Sequence, residues 1–191
     1  MNPWTNSIVL AALLTLSASA DAGGNLLANP TFDTGIAGWQ IGTEGGGSVT
    51  WLGNFGNPAG SAAVSSPNPN SSASLSQCIA ISAPATVDFI VDGYAANSSG
   101  SGGYVFVVFA YSADNCTGFL GNLPAGTPSS PVGIWNGFRS TLAGAALPAG
   151  TKSVFVMVGS RAEAAAGSLQ NYYIDNVYFG SDSIFTDGFE P

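Results

Sequence analysis

The sequence predicts an all-β fold, an antiparallel sandwich or barrel, on three observations. After Gly23, short β-prone runs alternate with segments of turn residues, and the 191 residues include 26 Gly and 11 Pro. Helical spacing of apolar residues occurs only in the Ala-rich stretch 161–166, which is followed by Gly167. With 46% hydrophobic and 11% aromatic residues, the chain has the composition of a folded protein and the length of a single domain.

The predicted strands follow these runs in chain order, and each is bounded by turn residues. NPAG at 57–60 and SPNPN at 66–70 separate the short early segments, and NSSGSGG at 97–103 separates two longer ones. LPAG at 123–126 and at 147–150 marks two later turns. The predicted strands are 25–27, 39–42, 48–52, 62–65, 73–81, 86–94, 104–112, 136–142, 152–159 and 170–179.

Alternation along the strands predicts which faces are buried. In 86–94, Val87, Phe89 and Val91 form a core face. The opposite face carries Thr86, Asp88, Ile90, Asp92 and Tyr94. That mixture of carboxylates and an aromatic ring is typical of a sugar-binding surface and equally of any solvated sheet.

Two other strands show contrasting patterns. The segment 73–81 alternates cleanly, with Ala73, Leu75, Gln77 and Ile79 on one side. The segment 104–111 is apolar on both faces. Its outer face must therefore be covered by a second layer or line a ligand groove.

The charge of the chain excludes several classes of function. It has no His, so it cannot form a Ser-His-Asp triad, a Cys-His dyad or an HExxH zinc site. Three basic residues against 11 acidic ones give a net charge of −8, which disfavours binding to nucleic acid or to anionic lipid. Any partner is therefore neutral or cationic.

The N-terminus has the pattern of a secretory signal. Residues 8–16 form an apolar run too short to span a bilayer, and the small residues of 18–22 fit a cleavage site. The alternative is a buried apolar N-terminal segment. We predict a signal peptide at 1–22, a β-sandwich domain at 23–180 and an acidic tail at 181–191. The mature protein is expected to be secreted, extracellular or periplasmic, without membrane insertion, and monomeric.

Cys78 and Cys116 are the only cysteines of the chain. Export would place both in an oxidising compartment, which favours a disulfide between them. The alternative is two buried free thiols. A zinc site is disfavoured because two Cys without His cannot complete a tetrahedron.

Asp175 is the most unusual residue of the last strand. Strict alternation aligns it with Tyr173, Val177 and Phe179, on a face that would point into the core. A buried carboxylate must be protonated, hydrogen-bonded or bound to a cation, and Ca²⁺ is a suitable cation in a chain with few basic residues. The alternative is that Asp175 lies on a β-bulge or caps a turn.

Both ends of the domain carry motifs of a known family. NLLANPTFDTGIAGW starts at Asn25, and YYIDNVYF ends at Phe179. These motifs resemble those that open and close carbohydrate-binding modules of families four, nine and twenty-two, which have a galactose-binding-like jelly-roll fold. The resemblance covers 25–180, with specific motifs only at its two ends. It implies an antiparallel β-sandwich of that type, in which the first and last strands are neighbours.

The resemblance also implies a metal site and a ligand site. Asp33 and Asp175 match the carboxylates that hold a structural calcium in the family, although Asp33 stands where Glu is more common. The family binds its glycan across a sheet or at a loop rim by stacking on aromatic rings. The candidate binding residues are Trp51, Tyr94, Tyr104 and Trp135, with Asp92, Gln77 and Asn136 as polar partners. Core packing is the alternative for each aromatic ring, and it is our prediction for Trp39.

We therefore predict an exported, non-catalytic carbohydrate-binding module for a neutral glycan. The alternative is a structural or adhesive surface module with the same fold and no sugar ligand. A glycosidase is the least favoured class, because Asp88 and Asp92 lie about 13 Å apart along one strand, too far for either standard geometry.

Overall fold

A computed structural model describes residues 24–82, 86–95, 102–124, 133–139, 145–162 and 170–181. These residues form two antiparallel sheets, one with the strand order β1-β4-β10-β6-β7 and one with the order β2-β3-β11-β5-β8, in which β9 also pairs with β5. The strands are β1 Gln40–Glu44, β2 Ser48–Gly56, β3 Ala59–Ser66, β4 Ser72–Ala80, β5 Thr86–Ala95, β6 Gly102–Tyr111, β7 Phe119–Pro124, β8 Trp135–Arg139, β9 Ala145–Ala146, β10 Ser153–Ala162 and β11 Gln170–Gly180. The predicted antiparallel β-sandwich of the jelly-roll type is confirmed.

The core lies between the two sheets and follows the alternation of the strands. Val87, Phe89 and Val91 of β5 are buried, as predicted, and so are Leu75 and Ile79 of β4. Every second residue of β6 and of β10 adds to the same core. Burial of these side chains is the main favourable term that holds the sheets together.

The segment before β1 packs against the last strand without being a strand itself. Leu26 donates its backbone N–H to the carbonyl of Phe179 at 2.8 Å, and the side-chain amide of Asn25 donates to the carbonyl of Val177 at 2.8 Å. The strand predicted at 25–27 is therefore wrong, although its predicted contact with the last strand is present. Trp39 is buried and its ring packs against Phe32, which confirms its predicted place in the core.

A β-bulge in β11 corrects the predicted face of Asp175. The register between β11 and β5 shifts between Asp175 and Tyr178, and Asn176 has a positive φ of 45°. After the bulge, Val177 and Phe179 point into the core. Asp175 therefore stays on the outer face with Tyr173, where the turn after β2 buries it. The face predicted from strict alternation is wrong because one extra residue reverses the faces, whereas the alternative of a β-bulge and the expected buried, hydrogen-bonded carboxylate are confirmed.

The predicted disulfide is confirmed: Cys78 of β4 is bonded to Cys116 in the connection between β6 and β7. The predicted leader at 1–22 and the tail beyond Ser181 lie outside the described residues. Both boundaries of the domain stay predictions. In the part of the chain that the structure does describe, no helix is long and apolar enough to cross a membrane.

Candidate functional site

The outer face of the five-stranded sheet carries a strip of apolar side chains at its centre. On β10 and β6, Phe155 lies opposite Phe109, and Met157 lies opposite Val107. All four side chains are half-buried, as is Val105 on the same face. The ring centroids of Phe109 and Phe155 are 6.3 Å apart. We call this strip, formed by Val105, Val107, Phe109, Phe155 and Met157, the open face.

Polar side chains border the open face on both sides. Ser76 of β4 pairs with Met157 on one side and with Gln40 of the edge strand β1 on the other. Asn122 of β7 pairs with Phe109. Since directly opposed residues of antiparallel strands share a face, the exposed amides of Gln40 and Asn122 lie on the two sides of the apolar strip, and Ser76 between Gln40 and Met157 is buried.

The disulfide fixes one end of the open face. Cys78 pairs with Phe155 in the ladder between β4 and β10, so the disulfide lies beside the Phe155 ring. Its partner Cys116 donates its backbone N–H to the hydroxyl of Ser153 at 2.9 Å. The connection between β6 and β7 is thereby held against β10. Beyond it, the Phe119 ring is 60% exposed and packs at 6.1 Å from Phe109.

The outer face of the six-stranded sheet carries a second group of rings. Tyr173 of β11 pairs with Tyr94 of β5, which in turn pairs with Trp135 of β8. We call these three residues the aromatic row. Phe55 lies against all of them, with ring centroids 4.7 Å from Tyr173, 5.1 Å from Tyr94 and 5.6 Å from Trp135. All four side chains are half-buried.

Two predicted binding residues, Tyr94 and Trp135, therefore lie together in the aromatic row, but Trp51 does not join them. Trp51 pairs with Ala62, whose side chain is buried in the core, so its ring lies on the other side of its strand. The indole N–H donates to the carbonyl of Phe32 at 2.7 Å, and the side chain is 41% exposed.

For the predicted polar partners Asp92 and Asn136, the structure gives strand positions and no side-chain description. Asp92 of β5 lies opposite Asp175 of β11, and Asn136 of β8 lies opposite Gly93. Their assignment to a ligand stays a prediction.

Tyr104 and Gln77 are corrected by the structure. Tyr104 is 0% exposed in the core, where its ring centroid lies 4.0 Å from that of Tyr172, so no ligand on the surface can stack on it. Gln77 is 7% exposed. Its side-chain amide accepts the N–H of Ala28 at 2.9 Å and donates to the carbonyl of Ala28 at 2.6 Å. Both of its polar ends therefore hold the N-terminal segment in place.

The two predicted calcium ligands lie against the same turn. Asp175 accepts the backbone N–H of Asn57 at 2.6 Å. At the other end of that turn, a Cβ on Gly60 would lie 2.9 Å from the Cα of Asp33. The backbone of the turn and the backbone of the N-terminal segment are therefore in close contact. The Asp33 side chain is exposed and accepts the hydroxyl of Thr31 at 2.9 Å. Among the described residues, no three His, Cys, Asp or Glu side chains form a metal-binding group, so carbonyl oxygens would have to supply further ligands.

The sequence prediction missed the residues of the open face, although it contained their signal. The segment 104–111 was expected to need cover on its outer face, and Val107 and Phe109 lie there. Phe155 and Met157 alternate with the buried Val154, Val156 and Val158 along β10. Because two adjacent strands both have apolar outer faces, their pairing in one sheet concentrates these side chains in one strip.

Comparison with known proteins supports the fold. The sequence matches no protein-family model and no curated protein. Among solved structures, a xylan-binding domain from family 22 of the carbohydrate-binding modules matches with a TM-score of 0.59 and 14% identity, over 84% of this chain and 96% of that chain. The CBM22-1 xylan-binding domain from Paenibacillus barcinonensis Xyn10C matches with a TM-score of 0.55 and 12% identity, over 84% of this chain and 97% of that chain.

A third match is the enzymatically active domain of the bacteriophage CBA120 tailspike protein 4, with a TM-score of 0.55 and 16% identity. The match covers 82% of this chain but only 21% of the tailspike chain. At these identities the likeness concerns the fold alone. The chain has the β-sandwich fold of carbohydrate-binding modules.

Proposed function

We propose that this protein is a non-catalytic carbohydrate-binding module that holds a neutral glycan on the open face. The observation that carries the proposal is a half-buried apolar strip on an outward-facing sheet, with the exposed amides of Gln40 and Asn122 on its two sides. A sugar ring has apolar C–H faces and a rim of hydroxyl groups, so it matches such a surface with its faces over Phe109 and Phe155 and its rim towards the exposed amides of Gln40 and Asn122.

The structural matches and the charge narrow the class of glycan. Two of the proteins with this fold are described as xylan-binding domains, so xylan is the first ligand to test. A net charge of −8 would repel an acidic polysaccharide, which favours an uncharged one.

The open face is a better site than the aromatic row. In the aromatic row, the Phe55 ring already packs on Tyr94, Trp135 and Tyr173. On the open face, the ring centroids of Phe109 and Phe155 are 6.3 Å apart, farther than any of the three contacts of Phe55. The roles predicted for Trp51, Tyr94 and Trp135 stay predictions, which the experiment below includes.

We place the protein outside the cytoplasm. The apolar segment at 8–16 has the pattern of an exported protein, and the bond between Cys78 and Cys116 belongs to an oxidising compartment.

A structural calcium held by Asp33 and Asp175 is part of the proposal. Both residues lie beside the turn at 57–60, and carboxylates together with backbone carbonyls of such a turn are the oxygen ligands that Ca²⁺ takes. Such an ion would join the N-terminal segment to the last strand, on the side of the molecule opposite the open face.

The test is a pull-down of purified protein on insoluble xylan and cellulose, together with a glycan array. We expect binding to one glycan class and a loss of about tenfold or more in affinity for Phe155→Ala. Ile134→Ala is the control, because it removes an exposed apolar side chain away from the open face, in the segment just before β8. Trp51→Ala and Trp135→Ala test the residues predicted from sequence.

The outcomes separate the candidate sites and functions. Loss of binding only in Trp135→Ala would move the site to the aromatic row, and loss only in Trp51→Ala would move it to the edge of β2. Absence of binding to every glycan would overturn the proposal and favour a structural or adhesive surface module.

A further inference from the structure

A register row of small residues crosses the outer face of the five-stranded sheet at one end of the open face. The row consists of Gly42 of β1, Ser74 of β4, Gly159 of β10 and Val105 of β6, each paired with the next. We call these four residues the low row. A Cβ on Gly159 would lie 2.3 Å from the carbonyl oxygen of Ala73, so the close approach of β4 and β10 excludes a side chain there. Because two of its four positions have no side chain, the row forms a depression across four strands.

The depression lies between an apolar border and a charged border. On one side, the next register row contains Met157 of the open face and the exposed Gln40. On the other side, Arg161 of β10 pairs with Ser72 of β4, which pairs with Glu44 of β1. Both charged side chains are exposed. Since a strand rises about 3.4 Å per residue, the Cα atoms of Met157 and Arg161 lie about 13 Å apart along β10, on either side of the low row.

We propose that the low row is a subsite for a sugar unit that carries a carboxylate group, and that Arg161 binds this carboxylate. The inference deepens the proposed function and rests on it for the glycan as a whole. A guanidinium presents its N–H donors in a planar fork that matches the two oxygens of a carboxylate. Arg161 is one of three basic residues in the chain, against 11 acidic ones, and its position gives this face of the sheet a local site for an anion.

The low row continues the open face, so one glycan chain can occupy both. Along β10, the outer face carries Phe155, Met157, Gly159 and Arg161 in succession. A glycan with one sugar over Phe155 that follows β10 reaches Gly159 after about 13 Å. The net charge of −8 disfavours a polysaccharide with a carboxylate on every unit, whereas a single carboxylate in the low row lies beside a guanidinium. The expected ligand is therefore a mainly neutral glycan with occasional acidic units.

The space next to Arg161 offers a way to block the subsite without disturbing the core. Arg161 pairs with Gly103 of β6, and a Cβ on Gly103 would meet no atom within 4 Å beyond its chain neighbours. Because paired residues share a face, Gly103→Leu introduces an apolar side chain beside the guanidinium on the outer face. The substitution therefore competes with a ligand for the same space.

Titration calorimetry with two probes tests the inference. The probes are xylohexaose, which is neutral, and xylohexaose with a single glucuronic acid branch. We expect the wild type to bind the branched probe about fivefold more tightly than the neutral one, the order of an exposed ion pair. Arg161→Gln should abolish this preference. Lys152→Gln is the matched control and should keep it, because it removes an exposed positive charge just before β10, outside the low row.

Three further variants test the geometry of the subsite. Arg161→Lys should keep only part of the preference, since it retains the charge and loses the planar fork. Gly103→Leu should abolish the preference by occupying the space beside the guanidinium. Glu44→Gln should increase the preference, because it removes a negative charge from the same border. High salt should reduce the preference of the wild type, since it screens exposed charges.

The outcomes separate this inference from the proposed function. Equal affinity of the wild type for both probes would overturn the acidic subsite and leave the proposed function intact. A preference that persists in Arg161→Gln would overturn the role of Arg161. Binding of the branched probe alone, lost in Arg161→Gln, would support the subsite and contradict a neutral ligand, and absence of binding to either probe would overturn both proposals.

Discussion

The carboxylate of Asp175 accepts the backbone N–H of Asn57 at 2.6 Å, although the two residues are 118 positions apart. Its other oxygen accepts the N–H of Asn176 at 2.8 Å, and the side-chain amide of Asn176 donates to the carbonyl of Asn57. Asp175 is fully buried. Hydrogen bonds to both oxygens therefore compensate the buried carboxylate and tie the last strand to the turn after β2.

Asp175→Asn is expected to lower the free energy of unfolding by about 2 kcal/mol, the order of a hydrogen bond to a charged group. The new amide presents an NH₂ group to one of two N–H donors, so one bond of the pair is lost. Urea unfolding in EDTA measures the effect without any contribution from a bound cation. Asp114→Asn is the control, because Asp114 is exposed. Equal stability of Asp175→Asn and the wild type would contradict this role.

Added Ca²⁺ is expected to raise the melting temperature of the wild type, and EDTA to reverse the rise. An ion that binds only the folded state stabilises it by about 2.7 kcal/mol at a concentration of 100 times its Kd. Asp33→Ala should abolish the response, because its exposed carboxylate is a proposed ligand. Mg²⁺ at the same concentration is the control, since it prefers a tighter octahedral site. A wild-type melt that neither ion nor chelator changes would remove the calcium proposal.

The double variant Cys78→Ser/Cys116→Ser is expected to lose about 3–4 kcal/mol of stability, because the bond closes a loop between residues separated by 38 positions. For a chain of this length, each kcal/mol corresponds to about 2–4 °C in melting temperature. Differential scanning calorimetry measures the shift, and wild type treated with reductant should melt like the variant.

The same variant should also bind glycan more weakly, since the disulfide holds the end of the open face beside Phe155. Binding is measured below the lower melting temperature, so that both proteins are folded. In the calorimetry experiment, equal melting temperatures of the double variant and the wild type would show that the bond between Cys78 and Cys116 does not constrain the unfolded chain.

Gln77→Ala is expected to cost about 1–3 kcal/mol of stability and to leave glycan affinity unchanged. The substitution deprives both the N–H and the carbonyl of Ala28 of their partner in a half-buried contact. Chemical unfolding and the xylan pull-down measure the two quantities on the same preparation. A loss of affinity without a loss of stability would restore Gln77 as a ligand-binding residue.

The sequence predicted what depends on local alternation and missed what depends on register. The buried faces of β4 and β5 followed from the spacing of residues such as Leu75 and Phe89. Asp175 was placed on the wrong face because a bulge adds one residue, which a strict period of two cannot include. The strand β7 was missed because its sequence, FLGNLP, contains Gly and Pro.

The candidate site was harder to predict than the fold, because it is formed by residues distant in sequence. Tyr94 and Trp135 were chosen as aromatic residues in strand-like segments, and they do meet. Nothing local placed Phe55 over them, since its position results from the shift in register between β2 and β3. Tyr104, like Tyr94, is a tyrosine in a predicted strand, but its side chain lies on the inward side of β6.

Stability at alkaline pH is expected to depend on Tyr172. Desolvation by burial raises the pKa of its hydroxyl above 10.0, the ordinary value for tyrosine. As the pH rises past about 10, the unfolded chain loses this proton before the folded protein does. The contribution of the neutral Tyr172 hydroxyl to the free energy of unfolding is therefore complete below about pH 10. It is lost as the pH rises through the pKa that Tyr172 has in the folded state.

Tyr172→Phe removes this ionisation from both states, so its stability should fall less than that of the wild type between about pH 9 and pH 11. The difference between the two proteins at about pH 8, where tyrosine is neutral, gives the packing effect of the lost hydroxyl and serves as the reference. Urea unfolding at each pH provides the comparison. Parallel stability curves for the two proteins across this range would show that Tyr172 ionises equally in the folded and unfolded chains, and its burial in the core would then have no effect on its proton.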